Sequence, residues 1–185
     1  MSKDDELDFT KTLAKPIPAP TPRQLEKASE EASVGGAQLR SNGYYVAIAR
    51  RAKAKVPPRD GERYTLLVVE DDPDLAKLLV EILGKAGFDV RTAKNRTEIN
   101  AEVNKPLLPD LMLLDIMLPD ADGLQILGRL RTHPKYARLP VILMTGKATV
   151  ADVKAGLIAG ADGYVSKPFK VSALVAAVNL VLGKG

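Results

Sequence analysis

From Tyr64 onward, short β-branched and apolar runs alternate with amphipathic segments of 10 to 14 residues, the pattern of a repeating strand and helix unit. The runs predict strands at Thr65–Glu70, Phe88–Thr92, Leu111–Asp115, Val141–Thr145 and Gly163–Val165. Several are almost wholly apolar, as a strand must be when helices cover both faces of its sheet. Between them, Leu75, Leu78, Leu79, Ile82 and Leu83 fall at helical spacing, and Leu174, Val175, Val178, Val181 and Leu182 form a similar stripe near the end. Asp72-Pro73 supplies an N-cap and a first-turn proline for the first helix, and Gly87 is placed to end it. The expected fold is α/β, a doubly wound sheet of five parallel strands spanning residues 64–185.

Residues 1–63 read differently. Pro16, Pro18, Pro20 and Pro22 crowd together, Gly35-Gly36 follows, and Pro57-Pro58 precedes Arg59-Asp60-Gly61, so this stretch reads as a Pro-rich and then basic extension and linker, partly disordered or helical. Two helices are expected within it, one capped by Thr21 with Pro22 at its first position and running to about Ser33, the other over Tyr44–Lys55.

Composition narrows the picture. With no cysteine there is neither a disulfide framework nor a thiolate metal site, which fits a reducing compartment and makes cytoplasm the expectation. The N-terminal acidic residues do not resemble a secretory signal, and no apolar run approaches membrane-spanning length. A net charge of +4 does not by itself argue for nucleic acid.

In an open parallel sheet, ligands meet the carboxyl ends of the strands. Those ends here carry Glu70-Asp71-Asp72, Asp115, Thr145-Gly146 and Lys167-Pro168. Carboxylates gathered from two strands repel one another, and a hard divalent cation relieves that cost. Oxygen ligands from Asp71 and Asp115, helped by Glu70 and by a backbone carbonyl just after the third strand, that of Met117, suit Mg²⁺. A metal beside an aspartate, with the Thr145 hydroxyl and the Lys167 ammonium aimed at the same point, meets the needs of phosphoryl transfer to Asp115.

The motifs Leu-Val-Val-Glu-Asp-Asp-Pro at 67–73, Leu-Leu-Asp-Ile-Met-Leu-Pro-Asp-Ala-Asp-Gly at 113–123, Met-Thr-Gly at 144–146 and Lys-Pro-Phe at 167–169 together resemble a two-component response regulator receiver domain of the CheY-like, flavodoxin-like kind. The resemblance covers about Tyr64 to Gly185. It implies that a sensor histidine kinase or phosphotransfer protein phosphorylates Asp115, that Glu70 and Asp71 form the acidic Mg²⁺ pocket, and that Lys167 contacts the phosphoryl group. It also implies a switch in which Thr145 moves toward the phosphoryl group and Tyr164 turns inward behind it. The surface of the fourth helix, fifth strand and fifth helix would then change for a downstream protein partner or a second copy of the chain. Ala121 and Gly146 depart from the usual residues, the second widening the phosphate site slightly, and Lys167-Pro168 is expected to be cis.

Other functions fit less well. A flavin or nucleotide site would need a Gly-rich or hydroxyl-rich turn where Glu70-Asp71-Asp72 stands, and those charges repel an uncompensated phosphate. An aspartyl phosphatase carries a second Asp two residues after the nucleophile, and position 117 is Met, so the chain is expected to hold its phosphoryl group and release it slowly. The basic run Arg50-Arg51-Ala52-Lys53-Ala54-Lys55 leaves a nucleic-acid output as the alternative, although no helix-turn-helix pattern is legible in residues 1–63. The single histidine, His133, precedes Pro134 at a helix end and reads as a surface residue.

Overall fold

The computed structural model describes residues 7–9, 21–23, 25, 26, 28–30, 46–48, 57, 58, 62–146 and 149–184. They fall into two compact units, Met1–Ile17 with Pro57–Leu139 and Pro18–Val56 with Pro140–Gly185.

In the first unit β2 (Thr65–Val69) lies between β3 (Asp89–Ala93) and β4 (Leu111–Asp115) and is parallel to both. Every residue of β2 and β4 is buried, whereas β3 exposes Asp89 and Thr92. The first helix, α1 (Pro73–Lys85), starts where Asp72 accepts hydrogen bonds from the N–H groups of Asp74 (2.9 Å) and Leu75 (3.1 Å), with Pro73 in the first turn. It ends before Gly87, whose φ of +89° is a left-handed conformation that costs glycine nothing. Leu79 and Leu83 are fully buried and Leu75 and Ile82 partly so, but Leu78 is 48% exposed and does not belong to the core stripe expected of it. The buried face follows 75, 79, 82 and 83, and Leu78 falls on its solvent edge. The helices α2 (Arg96–Val103) and α3 (Gly123–Thr132) are capped by Asn95 and Asp122. His133, at the end of α3, is half-buried rather than on the open surface, with its ring 4.8 Å from that of Tyr136.

In the second unit β5 (Val141–Thr145) runs parallel to β6 (Gly163–Ser166), with α4 (Val150–Ile158) between them in sequence and α5 (Val171–Leu182) after them. Leu174, Val178, Val181 and Leu182 of the second apolar stripe are buried, and Val175 partly so.

The extension behaves in part as expected. Its described residues between Pro22 and Glu30 are helical, and Leu25 N–H donates to the Thr21 carbonyl at 3.0 Å, closing a first turn. The helix expected at Tyr44–Lys55 is corrected where the structure describes it. Val46–Ile48 is a strand, β1, paired antiparallel with β6 in the register Val46↔Val165, Ala47↔Tyr164, Ile48↔Gly163. An open strand edge offers a row of backbone donors and acceptors, and β-branched Val46 and Ile48 suit a strand better than a helix. The rest of that segment, including the basic run at 50–55, lies outside the described residues. Among the described residues no helix is long and apolar enough to cross a membrane.

Candidate functional site

The strands of the first unit carry acidic residues to one end. β2 stops at Val69, and the Glu70 N–H donates to the Ala93 carbonyl at 3.0 Å, which ties the turn to the end of β3. Of the three consecutive acids that follow, Asp72 serves as the helix cap, while Glu70 is buried and Asp71 exposed. Asp115 closes β4 and is buried. One carboxylate oxygen from each of Glu70, Asp71 and Asp115 lies within 4.8 Å of the other two. A donor set made only of carboxylate oxygens, with no imidazole or thiolate, fits a hard divalent cation such as Mg²⁺. A cleft of about 410 Å³ opens on Glu70 and Asp71, walled by Pro73, Ala76 and Val80 with Lys94 among its lining residues.

The loop after β4 is folded tightly around Asp115. Met117 N–H donates to Asp115 Oδ1 at 2.9 Å, Met117 bridges to Asp122, and Gly123 N–H donates to the Ile116 carbonyl at 2.9 Å. Gly123 begins α3 so close to the strand end that a Cβ there would stand 2.4 Å from the Asp115 carbonyl oxygen and 2.8 Å from Ile116 Cα. Both neighbours are backbone atoms, so glycine is required for the helix to start there. Gly123 belongs to a motif legible in the sequence, yet its packing role was not; a glycine directly after a capping aspartate was the available signal.

The second unit presents the other expected residues. Thr145 ends β5 fully buried, and its carbonyl accepts the Lys167 N–H at 2.6 Å, which sets Lys167 directly after β6. The Lys167–Pro168 peptide is cis, as expected. Tyr164 is fully buried, between Leu143 of β5 and Ala47 of β1 in the strand registers. A Cβ on Gly156 of α4 would stand 2.7 Å from Leu143 Cδ1 and 3.3 Å from Tyr164 Cδ2, so this glycine lets the helix approach the buried ring. Its place inside an apolar helical stretch was the only sequence signal for that contact.

The family described as "Response regulator receiver domain" matches residues 66–179. The chain is 41% identical over 123 residues to the transcriptional regulatory protein TrcR of Mycobacterium tuberculosis, covering 66% of this chain and 47% of that protein. It is 41% identical over 120 residues to the DNA-binding response regulator MtrA of Mycolicibacterium smegmatis, covering 65% of this chain and 51% of the relative. It thus spans about half the length of the curated relatives it matches. Among solved structures, a CheY-like response regulator receiver domain protein from Methanospirillum hungatei superposes with a TM-score of 0.59 at 28% identity, covering 66% of this chain and 96% of that one. The response regulator DrrB of Thermotoga maritima, an OmpR/PhoB homologue, gives 0.58 at 31% identity, covering 66% and 54%. The fold is therefore the flavodoxin-like one of five parallel strands and flanking helices expected from the sequence. The chain belongs to the response regulator receiver domain family of two-component signalling.

Proposed function

We propose that Asp115 accepts a phosphoryl group from the phosphohistidine of a sensor histidine kinase or phosphotransfer protein. The observation that carries this reading is the convergence of Glu70, Asp71 and Asp115 at the ends of β2 and β4. In the transfer, a carboxylate oxygen of Asp115 forms the new bond to phosphorus as the bond from phosphorus to the histidine nitrogen breaks. Glu70, Asp71, Asp115 and the Met117 carbonyl would hold Mg²⁺, which when bound neutralises charge on the carboxylates and on the phosphoryl oxygens. The Met117 N–H, already bonded to Asp115 Oδ1, fixes the carboxylate's orientation. In the same reading the Lys167 ammonium and the Thr145 hydroxyl take the remaining phosphoryl oxygens.

No general acid is supplied at position 117, so the aspartyl phosphate is held and released slowly; the domain is a timer and not a turnover enzyme. Thr145 and Tyr164 pass the state of Asp115 to the face made by α4, β6 and α5, which a cytoplasmic protein partner or a second copy reads. MtrA is named as DNA-binding, and that favours a second reading in which the output is nucleic acid.

The test is incubation with acetyl phosphate and Mg²⁺ followed by intact-mass measurement. Wild type gains one phosphoryl group, and Asp115→Asn gains none while keeping its fold. No mass gain in wild type sinks the proposal.

A further inference from the structure

Three residues near the start of the chain are gripped by the receiver through their main chain. Phe9 N–H donates to Asn100 Oδ1 at 3.2 Å, Asn104 Nδ2 donates to the Leu7 carbonyl at 3.1 Å, and Arg129 Nη2 donates to the Asp8 carbonyl at 2.6 Å. Asn100 and Asn104 are one helical turn apart at the end of α2, so their amides stand on one face. Tyr136 Oη donates to Asn104 Oδ1 at 2.9 Å, which turns the amide so that its N–H₂ faces Leu7.

Main-chain hydrogen bonds hold a peptide without reading its sequence; side-chain sockets do the reading. Here Phe9 is 1% exposed and Leu7 9% exposed, and the Arg129 guanidinium carbon lies 5.4 Å from the centroid of the Phe9 ring. Burial pushes the Arg129 guanidinium below its ordinary pKa, Asp8 acts to raise it and Arg96 to lower it, so an acidic residue between the two apolar ones matches the local charge. Asparagine is a poor helix former, and a pair of them spaced to meet a backbone is explained by the contact they make.

We propose that Asn100, Asn104 and Arg129 form a peptide-recognition site for an apolar, acidic, aromatic triplet, and that the chain fills it in cis with its own Leu7-Asp8-Phe9. The site is separate from the acidic cluster, and the proposal does not depend on phosphorylation of Asp115.

Hydrogen exchange on the full chain tests the cis contact. The Phe9 amide exchanges roughly tenfold more slowly in wild type than in Asn100→Ala, because a bonded amide exchanges only when the segment opens. Equal exchange overturns the proposal, and protection that grows with protein concentration overturns the cis assignment in favour of a second copy. A fluorescein-labelled peptide of residues 3–13 tests recognition. It should bind full-length Phe9→Ala, whose own triplet is weakened, at least about tenfold more tightly than it binds wild type, because a filled site must first be vacated. The same peptide carrying Phe9→Ala should not bind. Equal binding of both peptides, or by both chains, overturns recognition. Should Phe9→Ala fail to fold by circular dichroism, an Asp8→Pro, Leu7→Ser chain weakens the same triplet and gives the same two outcomes.

Discussion

Asp110 and Asp115 stand at the two ends of one region, immediately before and at the close of β4, and each is 5% exposed. At the amino end, Asp110 Oδ2 accepts the Thr65 N–H at 2.8 Å while the Asp110 N–H donates to the Thr65 carbonyl at 2.8 Å, a reciprocal clasp that joins the start of β4 to the start of β2. The second unit repeats the device: Asp162 Oδ2 accepts the Val141 N–H at 2.9 Å and the Asp162 N–H donates to the Val141 carbonyl at 2.8 Å. At the carboxyl end, Asp115 also accepts a backbone N–H, that of Met117, but in addition meets two further carboxylates. Burial therefore does not distinguish the proposed phosphoacceptor from a structural acid. What distinguishes them is the company each keeps: both accept a backbone N–H, but the carboxylates converging on Asp115 create a demand for a cation.

The largest effect should come from disturbing the carboxyl end through its backbone. Gly123→Ala would put a methyl 2.4 Å from the Asp115 carbonyl oxygen, with no flexible side chain able to yield. Urea denaturation should show a loss of about 3 kcal/mol or more, at the upper end of overpacking costs. Phosphoryl uptake should fall with it, because α3 can start only by displacing the strand end that carries Asp115. A variant of native stability with full uptake would mean that the close approach is not needed.

At the amino end stability and phosphoryl uptake should come apart. Asp110→Ala removes the side-chain acceptor of a buried N–H, and the cost should be about 1–3 kcal/mol with phosphoryl uptake intact in the folded fraction. Asp110→Asn retains an oxygen acceptor and should lose less than half as much. Asp115→Asn, by contrast, loses uptake and keeps stability. If Asp110→Ala abolished uptake while melting like wild type, the division between structural and functional ends would fail.

These contrasts bear on what the sequence makes legible. The five parallel strands could be read because apolar runs and amphipathic stripes are local signals, and Asp115 stands out as a candidate because it sits at a strand end in a distinctive run. The strand Val46–Ile48 is illegible in sequence because three residues carry too little period, and their pairing partners lie more than a hundred residues away at Gly163–Val165. The grip of Asn100 and Asn104 on Leu7 and Phe9 was equally hidden, since neither asparagine has any local mark of a tertiary role. Spacing gives a stripe but not its angular edge, which is why Leu78 fits the stripe in sequence and lies outside the core in the fold.

A third kind of carboxylate sharpens the comparison by doing very little. Glu81 on α1 meets Lys85 at 2.5 Å, a shorter contact than the 2.8 Å bonds between Asp110 and Thr65, but both side chains are more than half exposed. The hydrogen bond from Lys85, and then its charge, lower the Glu81 pKa below the ordinary carboxylate value. A depressed folded-state pKa contributes stability that is present above the unfolded value, about 4.3, and is lost as pH falls through the folded one. Water and salt screen an exposed pair, so the contribution is small wherever it exists. Glu81→Gln should leave the melting temperature at neutral pH unchanged within error, and any difference should vanish in acid and in high salt. A melting-temperature drop comparable to that of Asp110→Ala would mean that contact distance governs these acids, and not the donors and charges that surround them.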